Sequence, residues 1–201
     1  MKIYTKTGDE GETGLLGGAR VSKQHPVIQV TGELDEINCQ LGAVLAEELP
    51  QEMRDWLLQI QHDLFDLGSQ VAASESESSR AAAFPAARVQ ELENWIDQLD
   101  QRLPALRQFI LPGGGRAGGQ LHLARAVCRR AERQWVVWWG GDLSAAPAVR
   151  QPLHHGLIYL NRLSDLLFVM ARWVNLKQER PETPWDVGRQ SQATSSGSAT
   201  D

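Results

Sequence analysis

The sequence predicts an all-α protein, a five-helix bundle that carries a glycine-rich N-terminal loop. Three observations support this: apolar residues recur at helical spacing in five segments, no useful length of sequence alternates apolar and polar residues, and no internal repeat is present. A chain of 201 residues is within the range of one domain that buries its own core. The expected organisation is one domain over residues 1–178, with a leader (1–31) and the bundle (32–178), and a tail (179–201) whose end is expected to be disordered.

The composition excludes several classes of protein. The formal net charge is −5, so a general attraction to nucleic acid or to an anionic membrane is not expected. Cys39 and Cys128 are far apart and lack metal-ligand spacing, which argues against a disulfide framework and a zinc site. Both are expected to be small core residues. No apolar run approaches the ~20 residues of a membrane span, and no apolar targeting segment is present, so a cytoplasmic protein is expected.

Three helices are predicted in the first half of the chain. Apolar stripes cover residues 34–50, 53–71 and 89–103, and the second stripe implies about five turns at ~3.6 residues per turn. Pro104 closes the third helix because proline cannot continue it. Between the second and third helices, residues 74–86 are small and polar, which predicts a loop.

Two further helices are predicted in the second half, over residues 120–139 and 152–177. The segment that precedes them, "FILPGGGRAGG" (109–119), is a second glycine-rich turn after the one in the leader. The segment "GGDLSAAP" separates the two helices. From Arg180 onwards the sequence loses its apolar content, which predicts a tail outside the bundle.

The leader segment "YTKTGDEGETGLLGGARVSK" (4–23) has a composition suited to binding phosphate, although it fits neither of the two familiar phosphate-binding motifs. It has no GxxxxGK[ST] pattern, and no strand precedes its glycines as a dinucleotide-binding turn requires. The remaining possibility is a free-standing nest of backbone N–H groups, which would need a neighbouring surface and a ligand to hold it. Its candidate groups are Gly8, Gly11, Gly14, Gly17 and Gly18, the hydroxyls of Thr5, Thr7 and Thr13, and the charges of Lys6 and Lys23.

The predicted fourth helix carries a column of arginines. Arg125, Arg129 and Arg133 are four residues apart and therefore share a face, where like charges destabilise a helix by roughly a few tenths of a kcal/mol per pair. Arg130 adds a fourth cation, and Glu132 neutralises only part of the charge. A polyphosphate would suit this column, since guanidinium groups match phosphate oxygens. A solvated basic face, or pairing with acids on neighbouring helices, stays open as an alternative.

Polar residues on two other helices are candidates to face these arginines. Asn161 and Asp165 are four apart on the fifth helix and share a face. They form either a structural hydrogen-bond pair or a group that aligns the arginines and binds ribose or base. Asp35 is near the start of the first predicted helix, where its charge suits the helix dipole. An ion pair between Asp35 and one of the arginines is the alternative.

Five motifs together resemble the PduO-type ATP:cob(I)alamin adenosyltransferases. They are the leader, "TGELDEINCQLG", "FILPGGG", "HLARAVCRRAER" and "LNRLSDLLFVMAR", and they occur in order over about residues 1–178. The resemblance implies a five-helix bundle that assembles as a homotrimer, with MgATP between subunits under the leader of one chain. The 74–86 loop, the extra glycines of "PGGGRAGG" and the polar tail depart from the family's pattern.

The resemblance also implies roles for individual residues. Asp35 and Arg129 match an intersubunit ion pair, Phe109 matches the aromatic residue that helps to displace the lower axial ligand of the corrinoid, and Arg125 and Asp165 match supporting positions. The positions that match ATP contacts are Thr5, Lys6, Thr7, Gly8, Thr13, Gly14 and Lys23 in the leader, Arg129, Arg130, Glu132 and Arg133 on the fourth helix, and Asn161 on the fifth.

The activity implied by the resemblance is transfer of the 5′-deoxyadenosyl group of ATP to Co(I) of cob(I)alamin, with release of triphosphate. Co(I) is itself a strong nucleophile, so no catalytic base is needed, and positioning with charge stabilisation should suffice. Mg²⁺ would be held by the ATP phosphates rather than by side chains. A cobalamin reductase and an adenosylcobalamin-dependent enzyme would be the partners before and after this step.

Three other functions are alternatives to this activity. An ATP-responsive carrier that delivers adenosylcobalamin without making it stays open. A ferritin-like dimetal bundle is excluded because no histidine follows a glutamate by three residues. A helical oligomerisation module with a loose leader would gain no thermal stability from ATP.

Overall fold

The computed structural model describes residues 2–16, 18–73, 84–140 and 147–186, with the backbone alone for residues 147–152. Most of the predicted 74–86 loop and the end of the tail lie outside the described residues, as does Gly17. The five helices are α1 (Pro26–Leu45), α2 (Gln51–Ala73), α3 (Ala86–Asp100), α4 (Arg116–Trp139) and α5 (Pro147–Lys177). The prediction of an all-α five-helix bundle is confirmed.

Four short strands accompany the helices, although the sequence showed no strand pattern. Strands β1 (Glu12–Gly14) and β2 (Arg20–Ser22) form an antiparallel hairpin within the leader. Strands β3 (Ile110–Leu111) and β4 (Thr183–Pro184) pair antiparallel, so the chain beyond α5 returns to the segment before α4. Two or three residues are too few for alternation to be recognised in a sequence.

Helices α1 and α4 begin earlier than the stripes predicted. Helix α1 begins at Pro26, where proline suits the first helical position, and His25 Nδ1 accepts a hydrogen bond from the Val27 N–H at 3.4 Å. Helix α4 begins at Arg116, so Gly118 and Gly119 belong to the helix rather than to a turn. The helices therefore extend further towards both glycine-rich segments than expected.

The core lies between α4 and its neighbours. Helix α4 packs on α1 and α5, α2 packs on α1, and α3 packs on α5. Cys128 is fully buried, as predicted, but Cys39 is exposed, so that part of the prediction is wrong. The reason is helical phase: the buried stripe of α1 runs through Ile37 and Leu41, and Cys39, two residues from each, falls on the opposite face.

A buried polar group fixes α3 to the bundle. Asp63 of α2 is 2% exposed and accepts hydrogen bonds from Arg88 Nη2 at 2.8 Å and Tyr159 Oη at 2.7 Å. Because a buried carboxylate is costly without partners, these contacts set the relative positions of α2, α3 and α5. None of the described helices is both long and apolar enough to cross a membrane.

Candidate functional site

The arginine column of α4 lies on one face, as predicted, but its members differ in environment. Arg129 and Arg133 are exposed, and Arg133 Nη1 donates to the Arg129 carbonyl at 3.0 Å. No carboxylate among the described residues lies within ion-pair distance of either guanidinium. Arg125 is half-buried, and burial, together with the nearby charge of Arg129, lowers its pKa. Its Nε is buried without a partner in the described structure.

Arg130 points away from this column and ties α4 to α1. Its Nε donates to both carboxylate oxygens of Glu33, at 2.9 and 2.7 Å, and its Nη2 donates to Glu36. These contacts, with the hydrogen bond to Glu33 as the largest cause, raise the pKa of Arg130. Two carboxylates therefore already neutralise this guanidinium within the chain.

Between α4 and α5, the polar residues singled out in the sequence meet one another. Asn161 Nδ2 donates to Glu132 Oε1 at 2.9 Å, and Asn161 Oδ1 accepts from Arg162 Nη1 at 2.6 Å. Partial burial raises the pKa of Asp165, and the cationic Arg162 and Arg129 oppose that shift. Asn161 and Asp165 therefore flank the helix that carries the arginines, and Asn161 is oriented by contacts on both sides.

Cys128 lies beneath this face, one residue before Arg129. Its thiol donates to the Leu160 carbonyl at 3.2 Å, and the side chain is fully buried. Burial raises the pKa of this thiol far above its ordinary range.

The leader forms an ordered hairpin within its own chain, whereas the sequence suggested that it needs a neighbouring surface. Arg20 ties the hairpin to the residues before it: Nε donates to Glu12 Oε2 at 3.2 Å and Nη2 donates to the Thr7 carbonyl at 2.6 Å. The hydroxyls of Thr5 and Thr7 are 2.8 Å apart. Arg20 is a residue that the sequence analysis did not select, although it falls within the quoted leader.

The backbone of the leader uses left-handed conformations. Lys6 has a φ of 60°, Gly11 has 85° and Gly18 has 91°. The Lys23 N–H donates to the Gly11 carbonyl at 2.9 Å, and a methyl group on Gly8 would lie 3.3 Å from Lys23 Nζ. The lysine charge thus lies against the turn, as a nest with adjacent cations requires.

A cleft of about 480 Å³ opens between the hairpin, α1 and α2. Gly14 and Leu15 of the leader and the exposed Asp35 of α1 line it, while Thr13 is half-buried within the hairpin. A single chain therefore brings Asp35 and the leader together. Among the described residues, no hydrogen bond or ion pair joins the leader or Asp35 to Arg129 or Arg133.

Phe109 is at the other glycine-rich segment, immediately before β3, and its side chain is 74% exposed. Its ring meets the ring of Trp185 edge to face, with centroids 6.1 Å apart. The Trp185 N–H donates to the Phe109 carbonyl at 2.8 Å. Trp185 was assigned to the tail, so the sequence analysis missed this neighbour.

Two buried polar side chains of α5, also missed, support this segment. Asn175 Nδ2 donates to the Gly113 carbonyl at 2.9 Å, and its Oδ1 accepts from the Gly115 N–H at 3.0 Å. Arg172 is 3% exposed and donates from Nε to Glu182 at 2.6 Å. The available signal was two strongly polar residues, three apart, among the apolar residues of the last turns of a helix.

His122 of α4 lies under the same segment. It borders a cavity of about 10 Å³, together with Gly114, Asn175 and Glu182. Burial and the nearby charge of Arg125 lower the pKa of His122, while Glu182 acts in the opposite direction. Within the described ranges, no group of three or more histidine, cysteine, aspartate or glutamate residues could hold a metal ion.

Fold and site define a class of protein: a five-helix bundle with a glycine-rich N-terminal hairpin and an exposed phenylalanine held by the C-terminal segment. One central helix carries two exposed arginines, Arg129 and Arg133, that form no ion pair with the described part of the chain. The sequence profile of the cobalamin adenosyltransferase family matches residues 3–174. The chain therefore belongs to the cobalamin adenosyltransferase family.

Individual relatives agree with this assignment. The chain is 43% identical to a cobalamin adenosyltransferase of Cupriavidus metallidurans, over 94% of this chain and 97% of the relative. It is 40% identical to the corrinoid adenosyltransferase of Bos taurus, over 90% and 74% of the two chains. A phenylalanine-to-histidine variant of a PduO-type ATP:corrinoid adenosyltransferase from Lactobacillus reuteri, solved with cobalamin and ATP, superposes with a TM-score of 0.81 at 34% identity, over 92% of this chain and 97% of the other.

Proposed function

We propose that this chain transfers the 5′-deoxyadenosyl group of ATP to the Co(I) centre of cob(I)alamin. The Co(I) electron pair forms the bond to C5′, the C5′–O bond breaks, and both electrons of that bond leave with triphosphate. The products are adenosylcobalamin and free triphosphate. The family supports the reaction. The observation that supports its location is the pair of exposed cations Arg129 and Arg133, which no carboxylate of the described residues neutralises.

These two arginines stabilise the charge that develops on the departing triphosphate. Preorganised donors aimed at a leaving group lower the barrier because they need no reorganisation during the reaction. Asn161, already oriented by Glu132, is placed to bind the adenosine on the α5 side. The remaining requirement is that cob(I)alamin and C5′ are held in line, which is a positioning task rather than acid–base catalysis.

The nucleotide site is completed by a second copy of the chain. Asp35 and the leader line one cleft, whereas Arg129 is on another helix and forms no ion pair with any residue that the structure describes. An interface that joins two different faces of one chain forms a ring when the rotation between copies closes, and the homotrimer implied by the resemblance is such a ring. The leader residues Thr5, Lys6, Thr7, Gly8, Thr13, Gly14 and Lys23 would then cover the triphosphate of the neighbouring arginines. Mg²⁺ would be held through the ATP phosphates.

Arg130 has a positioning role in this proposal rather than a phosphate contact. Its guanidinium is held by Glu33 and Glu36, so binding triphosphate would require those contacts to break. The pair instead fixes the rotation of α4 on α1, and that rotation directs Arg129 and Arg133 outwards.

The reaction is tested by an anaerobic assay with chemically reduced cobalamin and MgATP, following the carbon–cobalt bond and free triphosphate. We expect Arg133→Ala to lower the rate by about 10²–10³-fold, as for loss of one preorganised donor. Its melting temperature should be unchanged because the side chain is exposed. Arg116→Ala, at the exposed start of the same helix, is the matched control and should stay active. A wild-type protein that binds adenosylcobalamin and ATP without forming the bond would instead be a carrier.

The Arg130 assignment is tested by charge exchange. Arg130→Glu should lower both the transfer rate and the free energy of unfolding, the latter by about 1 kcal/mol because the pair is half-exposed. The double variant Arg130→Glu/Glu33→Arg should recover most of both quantities. If the double variant regains its stability but no activity, Arg130 contacts the nucleotide directly and the positioning role is wrong.

A further inference from the structure

The chain beyond α5 is folded back over the second glycine-rich segment. Glu179 has a φ of 53°, which turns the chain after α5, and the Arg180 N–H donates to the Asn175 carbonyl at 2.8 Å. Pairing of β4 with β3 then places Pro184 opposite Ile110. Residues 180–186 are therefore a structural neighbour of Phe109, although about 75 residues separate them along the chain.

One buried guanidinium holds this C-terminal segment. Arg172 donates to Glu182, two residues before Pro184, and its Nη2 also donates to the Pro104 carbonyl at 2.8 Å. It thereby links α5 to the chain on the approach to both β3 and β4. A charge that is 3% exposed is stable only when fully paired, so this arrangement is strongly specified.

Near its described end, this segment contacts the ring of Phe109 through Trp185. The Trp185 ring contacts that ring edge to face at an interplanar angle of 66°. The backbone N–H of Trp185 donates a hydrogen bond to the Phe109 carbonyl. The Phe109 side chain is 74% exposed, so few other contacts within the chain can limit its rotation. Edge-to-face aromatic contacts have a defined geometry, and this one favours a particular ring orientation.

We propose that Trp185 is a positioning residue for the corrinoid step. It holds the Phe109 ring in the orientation that keeps the lower axial ligand away from cobalt, and the Arg172–Glu182 pair holds Trp185 in place. This inference rests on the proposed function and on the role that the family resemblance implies for Phe109, displacement of the lower axial ligand of the corrinoid. The C-terminal segment is then part of the site, although the sequence placed it in a polar tail outside it.

The test uses the full chain with cob(II)alamin and MgATP. Electron paramagnetic resonance distinguishes cobalt that keeps its axial nitrogen, which splits the signal, from cobalt that has lost it. In Trp185→Ala we expect the fraction without axial nitrogen to fall and kcat to fall about three- to tenfold, the size of one aromatic edge contact. The KM for ATP should stay within about twofold because the nucleotide contacts are elsewhere. Trp185→Phe should recover most of the signal and of kcat.

A second variant separates positioning from folding. Glu182→Gln removes the charge but keeps the shape, and it should shift the cobalt signal in the same direction as Trp185→Ala but by less. Glu52→Gln, which alters an exposed ion pair with Arg102 at 3.2 Å, is the matched control and should leave the signal unchanged.

The outcomes distinguish a failure of the proposed function from a failure of the positioning role of Trp185. If the wild-type protein forms no carbon–cobalt bond, the proposed function fails. If it does, and Trp185→Ala keeps the wild-type cobalt signal, the positioning role is overturned. The role is also overturned if Trp185→Phe is as impaired as Trp185→Ala, or if every loss of activity follows a loss of thermal stability.

Discussion

The glycines of the leader hairpin stand in open space, whereas Gly114 and Gly118, before and within the first turn of α4, are packed against the buried Asn175. A methyl group added to Gly11, Gly14 or Gly18 would meet no atom within 4 Å. One added to Gly114 or Gly118 would lie 2.1–2.2 Å from Asn175 atoms. Both segments are rich in glycine. Left-handed glycines occur in both, at Gly11, Gly18 and Gly114, but glycine provides room for a buried neighbour only in the second.

This difference indicates which of the two glycine-rich segments is held by the rest of the chain. In the leader, the N–H groups of the left-handed Gly11 and Gly18 donate to the Gly8 and Leu15 carbonyls, at 3.3 and 3.1 Å. The space beside both glycines is open and the nearby Lys6 and Lys23 are exposed, as a ligand that is not part of the chain would require. In the second segment the backbone is already occupied by the hydrogen bonds of Asn175. The leader is therefore suited to bind an anion, and the second segment is suited to hold Phe109 at a fixed position.

The largest effect on stability is expected from filling the space beside Asn175. Gly118→Ala should destabilise the protein by about 1–3 kcal/mol because Asn175 is buried and tied on both sides. Gly119→Ala is the matched control at the next helical position, where nothing lies within 4 Å. It should stabilise by about 0.5–1 kcal/mol, since alanine suits a helix better than glycine. Chemical denaturation measures both, and equal values would contradict the packing argument.

A change in the leader should affect nucleotide binding more than stability. Gly11→Ala places a side chain at a φ of 85°, which costs about 1–2 kcal/mol in the bound conformation. Because the hairpin contributes little to the core, the KM for ATP should rise about tenfold while the melting temperature changes little. Gly32→Ala, at an open position in α1, is the control and should leave the KM unchanged. A large loss of thermal stability in Gly11→Ala would show that the leader is part of the folding core.

The smallest expected effect is a pH dependence confined to the second segment. Every charged side chain of the leader is exposed, whereas His122 is buried beneath Gly114. The pKa of His122 is lowered from 6.5 by burial and by Arg125, against the effect of Glu182. Its contribution to stability is therefore complete above pH 6.5 and is lost as the pH falls through 6.5 towards the lower folded pKa.

Replacing this histidine should reduce the acid sensitivity. The difference in melting temperature between about pH 7.5 and about pH 5.5 should be smaller in His122→Gln than in the wild type. His62→Gln, at an exposed position on α2, should retain the wild-type difference. An unchanged difference in His122→Gln would remove His122 as its source.

The helices could be predicted because their apolar stripes are long. Residues 53–71 predicted α2, and the helix covers Gln51–Ala73. The first turn of α4 could not, because glycine is a weak helix former and its presence in a helix depends on a partner elsewhere. Gly118 is in a helix beside Asn175, which is 57 residues away, and no local pattern shows that contact.

Some features of the candidate site could likewise be predicted from the sequence, and others could not. The shared face of Arg125, Arg129 and Arg133 follows from helical geometry alone. That Arg130 pairs with Glu33 depends on how α1 and α4 pack, and the contact spans 97 residues of sequence. The contact between Trp185 and Phe109 similarly depends on a strand pair of two residues each, which is too short to leave a signature.

The protonated state of Cys128 has a consequence for side reactions. Thiolates attack electrophilic carbon, and Cys128 is the neighbour along α4 of Arg129, which the proposed function places at the nucleotide. Burial keeps the sulfur protonated, and its hydrogen is committed to the Leu160 carbonyl. Cys128 is therefore not available as a competing nucleophile, and its alkylation during turnover is suppressed by burial.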